Sequence, residues 1–238
     1  MQLEICASTP VDVALALEAG ADRVELCSHW ECGGLTPTSA MVRASSVLDI
    51  PVRALIRPRA GHVVYNSSER NLIISEGLDC LEAGAEKIVV GGLTEDGELD
   101  LELLESLEKE IGTEFLVWHR ALDISFDPIT SAEELLNAGI QEVLTSGAEP
   151  VAVLGLDLMR ELSEMGLHVI AGGGVRPEDV VKLGEAGVQT VHASCRVKTL
   201  LNDSKSTELF DLSTNPVDYS KVEELAKAVQ NWNLDDEE

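Results

Sequence analysis

The chain has 238 residues, 45% of them hydrophobic but few of them aromatic (three Trp, two Tyr, three Phe), so it can bury a sizeable and mostly aliphatic core. Seventeen basic residues stand against 43 acidic ones, a formal charge of −26 with no basic run or stripe, which argues against nucleic acid as a partner. The apolar runs fall far short of membrane-spanning length and the polar start Met1-Gln2-Leu3-Glu4 is unlike a signal peptide, so a cytoplasmic protein that makes no membrane contact is expected.

In chain order, Leu3 to Cys6 reads as the first strand, followed by Ser8-Thr9-Pro10, where a hydroxyl cap precedes a proline in the first helical turn. The helix runs to about Ala19 and the second strand ends at Cys27. Residues Ser28 to Thr38 form a glycine-rich loop long enough to reach across the top of a barrel, and Thr38 can cap a helix reaching Leu48. Strand three spans Val52 to Arg57 and stops at Pro58, which cannot donate to a ladder. A helix from about Ser68 to Glu82 leads to strand four at Lys87 to Val90, and the stripe Leu99, Leu103, Leu104, Leu107, Ile111 marks the next helix. Strand five is expected at Glu114 to His119. Helix five opens near Pro128, with Ala132, Leu135 and Leu136 inward, and helix six turns Leu154, Leu158, Leu162 and Met165 inward. Strand seven, Leu167 to Ala171, runs into three glycines; Pro177 marks another helix and strand eight is Thr190 to Ser194.

One phrase recurs four times: Ala19-Gly20-Ala21-Asp22, Ala83-Gly84-Ala85-Glu86, Ala138-Gly139-Ile140-Gln141 and Ala186-Gly187-Val188-Gln189, each followed by a short apolar run. Glycine just past a helix end takes the left-handed conformation at no steric cost, and the run behind it is too short and branched for a helix. Repeated at this interval, the phrase predicts βα units closed into one eight-stranded parallel barrel of the (βα)8 type, a single domain over 1–238. The barrel strands lie within 1–196, residues 197–218 are irregular, 219–231 form a closing helix and 232–238 an acidic tail. An open doubly wound sheet is the alternative, but the glycine-rich loop it would carry after strand one is missing.

Alternation puts Glu4 with Cys6, Glu25 with Cys27, Leu55 with Arg57, Val117 with His119 and His192 with Ser194 on common strand faces. Glu25, Arg57, His119, Thr145 and His192 fall at the C-terminal ends of strands, the rim where such barrels place chemistry. One reading of this group is an enzyme for a small anion. Arg57, Arg59, Arg120 and the N–H groups of Gly172, Gly173 and Gly174 would grip the anion, with Glu4, Thr145, His192 and Ser194 around it. Glu25 or Asp123 would then be the base and His119 the acid. The competing reading is structural, with Glu4 and Glu25 neutralising Arg57 and Arg59 in a buried ionic layer. Five cysteines without secretion features argue for free thiols. Cys80 shares a helical face with Ile73 and Gly77 and reads as core. Cys6 and Cys27, at the ends of adjacent strands, make a soft pair suited to Cu(I), or to Zn(II) with further ligands such as His29 and Cys32; the competing reading is two small buried cysteines on the barrel rim. No organic cofactor is expected.

Several blocks together resemble the CutC family of copper-homeostasis proteins. They are Leu3-Glu4-Ile5-Cys6, the run from Gly20 to Ser28, Gly33-Gly34-Leu35-Thr36-Pro37, Ile56-Arg57-Pro58-Arg59, His119-Arg120-Ala121 with Asp123, Leu144-Thr145-Ser146-Gly147, Gly172-Gly173-Gly174-Val175 and His192-Ala193-Ser194. The resemblance covers Met1 to about Arg196. It implies a TIM-type barrel, a cytoplasmic homo-oligomer (a dimer), a link to copper tolerance, and Cys6 and Cys27 as the Cu(I) ligands.

Overall fold

A computed structural model describes residues 1–199 and 213–235. Eight parallel strands close into a barrel in sequence order, with β1 pairing both β2 and β8. The strands are β1 (Gln2–Ala7), β2 (Arg23–Leu26), β3 (Val52–Leu55), β4 (Lys87–Val90), β5 (Leu116–Trp118), β6 (Glu142–Thr145), β7 (His168–Ala171) and β8 (Thr190–Ala193). The helices between them are α1 (Pro10–Glu18), α2 (Ser39–Ser45), α3 (Ser67–Glu82), α4 (Leu101–Glu110), α5 (Pro128–Asn137), α6 (Leu156–Glu164) and α7 (Val180–Glu185), and α8 (Tyr219–Asp235) closes the ring against β1 and α1. Among the described residues no helix is long and apolar enough to cross a membrane.

The expected local signals operate. Thr9 and Thr38 cap α1 and α2, Asn66 and Glu69 form a capping box on α3, and Asp127 caps α5 ahead of Pro128. All four repeated junction glycines have positive φ, and Gly166, after α6, is a further instance of the same device. Some boundaries differ. Glu114 sits in a 3-10 turn, Thr113–Phe115, so β5 is three residues long. Leu154 lies in another 3-10 turn before α6 and is exposed, and Met159 takes the buried place in that helix with Leu162. The closing helix extends through Asp235, so the expected tail from 232 begins inside it, and 236–238 lie outside the described residues. Of the stretch 197–218 read as irregular, 200–212 also lie outside them, while its ends are tied by antiparallel bridges, Arg196 to Val217 and Thr199 to Thr214.

The barrel interior has two levels. Toward the N-terminal ends of the strands it is ionic. Arg23 donates from Nε to Glu4 (2.5 Å) and from Nη2 to Thr190 (3.0 Å), and Arg53 Nη1 lies 2.7 Å from Glu142, which also accepts from Lys87 (2.7 Å). Above this, Cys6, Cys27, Leu55, Val89, Val117, Leu144 and Ile170 pack as a distinct apolar collar. Burial opposes ionisation of Glu4, but the His192 hydrogen bond and the Arg23 and Arg53 charges outweigh it and hold the carboxyl well below the usual carboxylate range. Glu4 and Arg53 are buried, so removing one partner strands the other's charge.

Arg53→Ala is expected to cost about 3–5 kcal/mol of stability in urea unfolding at neutral pH; a loss below about 1 kcal/mol would contradict the buried layer. Because the folded pKa of Glu4 is depressed, its contribution is complete above the unfolded value of about 4.3 and is lost as pH falls from there toward the folded value. Glu4→Gln should therefore flatten the acid limb of the stability curve, and an unchanged limb would count against this assignment.

Candidate functional site

Above the collar a cavity of about 890 Å³ opens at the C-terminal ends of the strands. Alternation delivers its floor: Cys6 from β1, Glu25 from β2 and His192 from β8, with Cys27 at the residue after β2. The walls carry Arg57, His119, Arg120, Gly172, Gly173, Gly174 and Ser194, each expected there from the sequence. The loop after β2 folds over the mouth through a 3-10 turn, Trp30–Cys32, and a bridge between Ser28 and Leu35. Gly34 makes that possible: a Cβ there would stand 2.6 Å from Leu55 Cδ2 and 3.3 Å from Cys27 Cβ.

The floor is a connected polar group. The Sγ atoms of Cys6 and Cys27 are 3.8 Å apart, and the Ser8 hydroxyl lies 3.7 Å from Cys27 Sγ. The Cys6 hydrogen bond to Cys27 raises the Cys6 pKa, and burial adds to it; the same bond, helped by Ser8, lowers that of Cys27 against its own burial. Cys27 is thus the more acidic thiol of the pair, and either sulfur can donate to the other. His192 Nδ1 lies 2.8 Å from Glu4 Oε1 and Nε2 lies 3.8 Å from Glu25 Oε2. Since Glu4 is ionised, Nδ1 carries the proton and donates. Burial works against the imidazolium, yet Glu4 and Glu25 together raise the His192 pKa. Burial, reinforced by Glu4, raises that of Glu25.

His119 behaves differently from expectation. Burial, with the Arg57 charge nearby, pushes its pKa down to about 4, so it is neutral near pH 7 and cannot serve there as a proton-donating acid. Nδ1 accepts from the Ala121 N–H (3.1 Å), which leaves the proton on Nε2, and that buried N–H has no hydrogen-bond partner among the described residues. Gly91 lets the ring lie flat against β4: a Cβ there would stand 2.5 Å from His119 Nδ1.

Four expected site residues lie outside the cavity lining. Glu4 faces the barrel interior but sits beneath the floor, holding Arg23 and His192. Arg59 is taken by Glu69 and by the carbonyls of His62 and Val64. Thr145 follows inward-facing Leu144 and so points outward, where it donates to Asp123. Asp123 accepts from Thr145, from the N–H groups of Ser146 and Ala148 and from Arg120 (2.6 Å), so it clamps two loops and has no free lone pair to act as base. The expected neutralisation of Arg57 by Glu4 or Glu25 does not occur either. Arg57 donates to the carbonyls of Cys32 (3.0 Å), Gly34 (2.9 Å) and Gly61 (2.7 Å), and the glutamate layer uses Arg23 and Arg53 instead. Sequence reading missed those two, although both follow the same alternation as Glu25 and Leu55. It also missed Arg196, which donates to the Cys6 carbonyl (2.9 Å) and Ser8 (2.7 Å) beneath Trp30, 5.1 Å from its ring. No local pattern marks Arg196, because its partners on and after β1 lie about 190 residues away.

A closed (βα)8 barrel whose rim cavity is floored by thiols, a carboxylate and an imidazole defines the class. The CutC family profile matches residues 1–197, and the chain belongs to the CutC family. It is 34% identical to a CutC family protein of Pectobacterium atrosepticum, over 96% of this chain and 95% of that one. It is 37% identical to a CutC family protein of Vibrio vulnificus, over 81% and 80%. Among solved structures, the CutC protein of Streptococcus agalactiae, for which a copper-homeostasis role is proposed, superposes with a TM-score of 0.75 at 29% identity, over 81% of this chain and 97% of that one. A thiamine phosphate pyrophosphorylase of Pyrococcus furiosus (TM-score 0.62, 15% identity, 97% and 96%) shares the fold.

In a histidine NMR titration, the His119 ring is expected to stay neutral down to about pH 5 and to titrate near 4; a midpoint close to 6.5 would overturn its assignment as a neutral donor.

Proposed function

We propose that this protein serves copper homeostasis by binding Cu(I) through Cys6 and Cys27. The observation that carries the reading is the thiol pair, 3.8 Å apart inside an apolar collar. Thiolates are the ligands that select Cu(I), and a buried apolar setting limits access of water to the ion. Both thiols must lose their protons to bind the ion, Cys27 the more readily, and Glu25, with a carboxylate oxygen within 4.8 Å of Cys6 Sγ, is placed to take the Cys6 proton. Bound copper would supply two soft metal–sulfur bonds, and the chain's own residues would hold and shield them. The same reading takes the protein to be cytoplasmic and homodimeric; five free cysteines suit a reducing compartment.

Competition with a Cu(I) chelator under anaerobic conditions tests this. The wild-type chain is expected to take one equivalent, with a loss of at least a hundredfold in affinity for Cys6→Ser and for Cys27→Ser. Equal affinity in the Cys6→Ser, Cys27→Ser double variant would overturn it.

A second reading, an enzyme acting on a small phosphate- or carboxylate-bearing substrate, is favoured by the Nε2–H of His119, which has no partner among the described residues. It also draws on the cavity lining, where Arg57, Arg120, Arg176, Arg196 and Lys221 outnumber Glu25, Glu178 and Glu224 in a chain of net charge −26. In this reading neutral His119 donates a hydrogen bond to a substrate oxygen, Glu25 is the base and His192, whose pKa the two glutamates raise against burial, the acid. Thermal-shift titration with phosphate and small carboxylic acids should raise the melting temperature of the wild type and not that of His119→Leu, since only the native state gains from ligand. The absence of any anion-dependent shift in the wild type would eliminate this reading.

A further inference from the structure

Cys6 Sγ, a Glu25 carboxylate oxygen and a His192 ring nitrogen lie within 4.8 Å of one another on the cavity floor. This is a ligand set of a different character from the thiol pair. It combines one soft, one borderline and one hard donor, the mixture that suits a borderline divalent cation and not Cu(I). We propose that these three side chains form a second metal site, for Zn2+ or a divalent ion of like preference, with its remaining coordination position open to the cavity.

Three features argue for this beyond proximity. His192 is oriented as metal-binding histidines are: Nδ1 is committed to the Glu4 carboxylate at 2.8 Å, which turns Nε2 toward Glu25 at 3.8 Å. Such a carboxylate behind the imidazole fixes the tautomer and strengthens the ligand. Glu4 is itself anchored by Arg23 and nearly fully buried, so the relay is rigid. Tetrahedral coordination with bonds of about 2.0–2.3 Å separates ligand atoms by roughly 3.3–3.8 Å, so the three need to close by about 1.5 Å at most. Finally, all three residues line the 890 Å³ cavity, which leaves room for water or a substrate oxygen beside the ion. Three protein ligands with one open position is the arrangement of zinc sites that activate water or polarise a carbonyl.

The inference does not depend on the copper reading. The two sites share Cys6 alone, and so the two ions exclude one another. Loading the divalent ion displaces the proton of Cys6, while His192 keeps its Nδ1 proton on Glu4.

Co2+ is the probe, because a cobalt–thiolate bond gives a charge-transfer absorption in the near ultraviolet. Titrating the reduced, metal-free full chain should produce that band at one equivalent, and Zn2+ should abolish it. Cys6→Ser should remove the band. Glu25→Gln and His192→Gln should each weaken Co2+ binding at least tenfold, and Glu4→Gln by about 10–100-fold through loss of the carboxylate that orients His192. Cys27→Ser should keep the band while losing Cu(I), which separates the two sites. Circular dichroism reports whether each variant folds; if His192→Gln does not, Glu25→Gln decides. A band that survives in Cys6→Ser, or wild-type affinity in Glu25→Gln, would overturn the proposal.

Discussion

The buried carboxylate of Glu4 is the constraint around which this barrel is arranged. A charge removed from water is costly unless paired and hydrogen-bonded, so Glu4 requires both Arg23 on β2 and His192 on β8. These are the two strands that flank β1, and the three side chains therefore tie the seam where the barrel closes. The same contacts decide what the cavity above can do. His192 is locked by its Nδ1 hydrogen bond, and its other nitrogen is delivered to the cavity floor beside Glu25. One ion pair thus acts in stability and in site geometry at once, and neither role can be altered without the other.

Above that layer the interior changes character abruptly. The apolar collar separates the ionic level from the cavity except at His192, which links Glu4 to the floor, and the two thiols are part of the collar. Cys6 meets Cys27 within the collar and Glu25 and His192 on the floor, which makes it the one residue common to the soft pair and to the mixed ligand set. Arg57 and Arg196 contribute differently. Both spend their guanidinium donors largely on backbone carbonyls, Arg57 fastening the loop over the mouth and Arg196 fastening β1 to the segment around Asn215. Each keeps its positive charge near the cavity while doing so, in a chain that is otherwise strongly acidic.

Much of this was legible in the sequence because it rests on short-range rules. The helix–glycine–strand phrase specified the βα repeat, and strand alternation specified which of Glu4, Cys6, Glu25, Cys27, His119 and His192 faced inward. What the alternation could not supply was depth. Glu4 and Cys6 share a face, yet one lies below the collar and the other within it, since depth in a closed barrel depends on the stagger between strands. Partner choice was equally hidden. Arg57 and Arg53 stand four residues apart on the same inward face, and only the three-dimensional register gives Arg53 to the glutamates. The reversal of His119 from acid to neutral donor came from burial against Gly91 and the nearby Arg57 charge, neither of which a strand-end histidine announces.

The account turns on the state of one imidazole. Long-range nitrogen–proton NMR correlations of His192 at neutral pH, compared between the wild-type chain and Glu4→Gln, report it directly. The account predicts a protonated Nδ1 with a downfield, slowly exchanging proton held by Glu4, and loss of that proton signal in Glu4→Gln while the barrel remains folded. A wild-type His192 protonated on Nε2 alone, with Nδ1 a free lone pair, would contradict it.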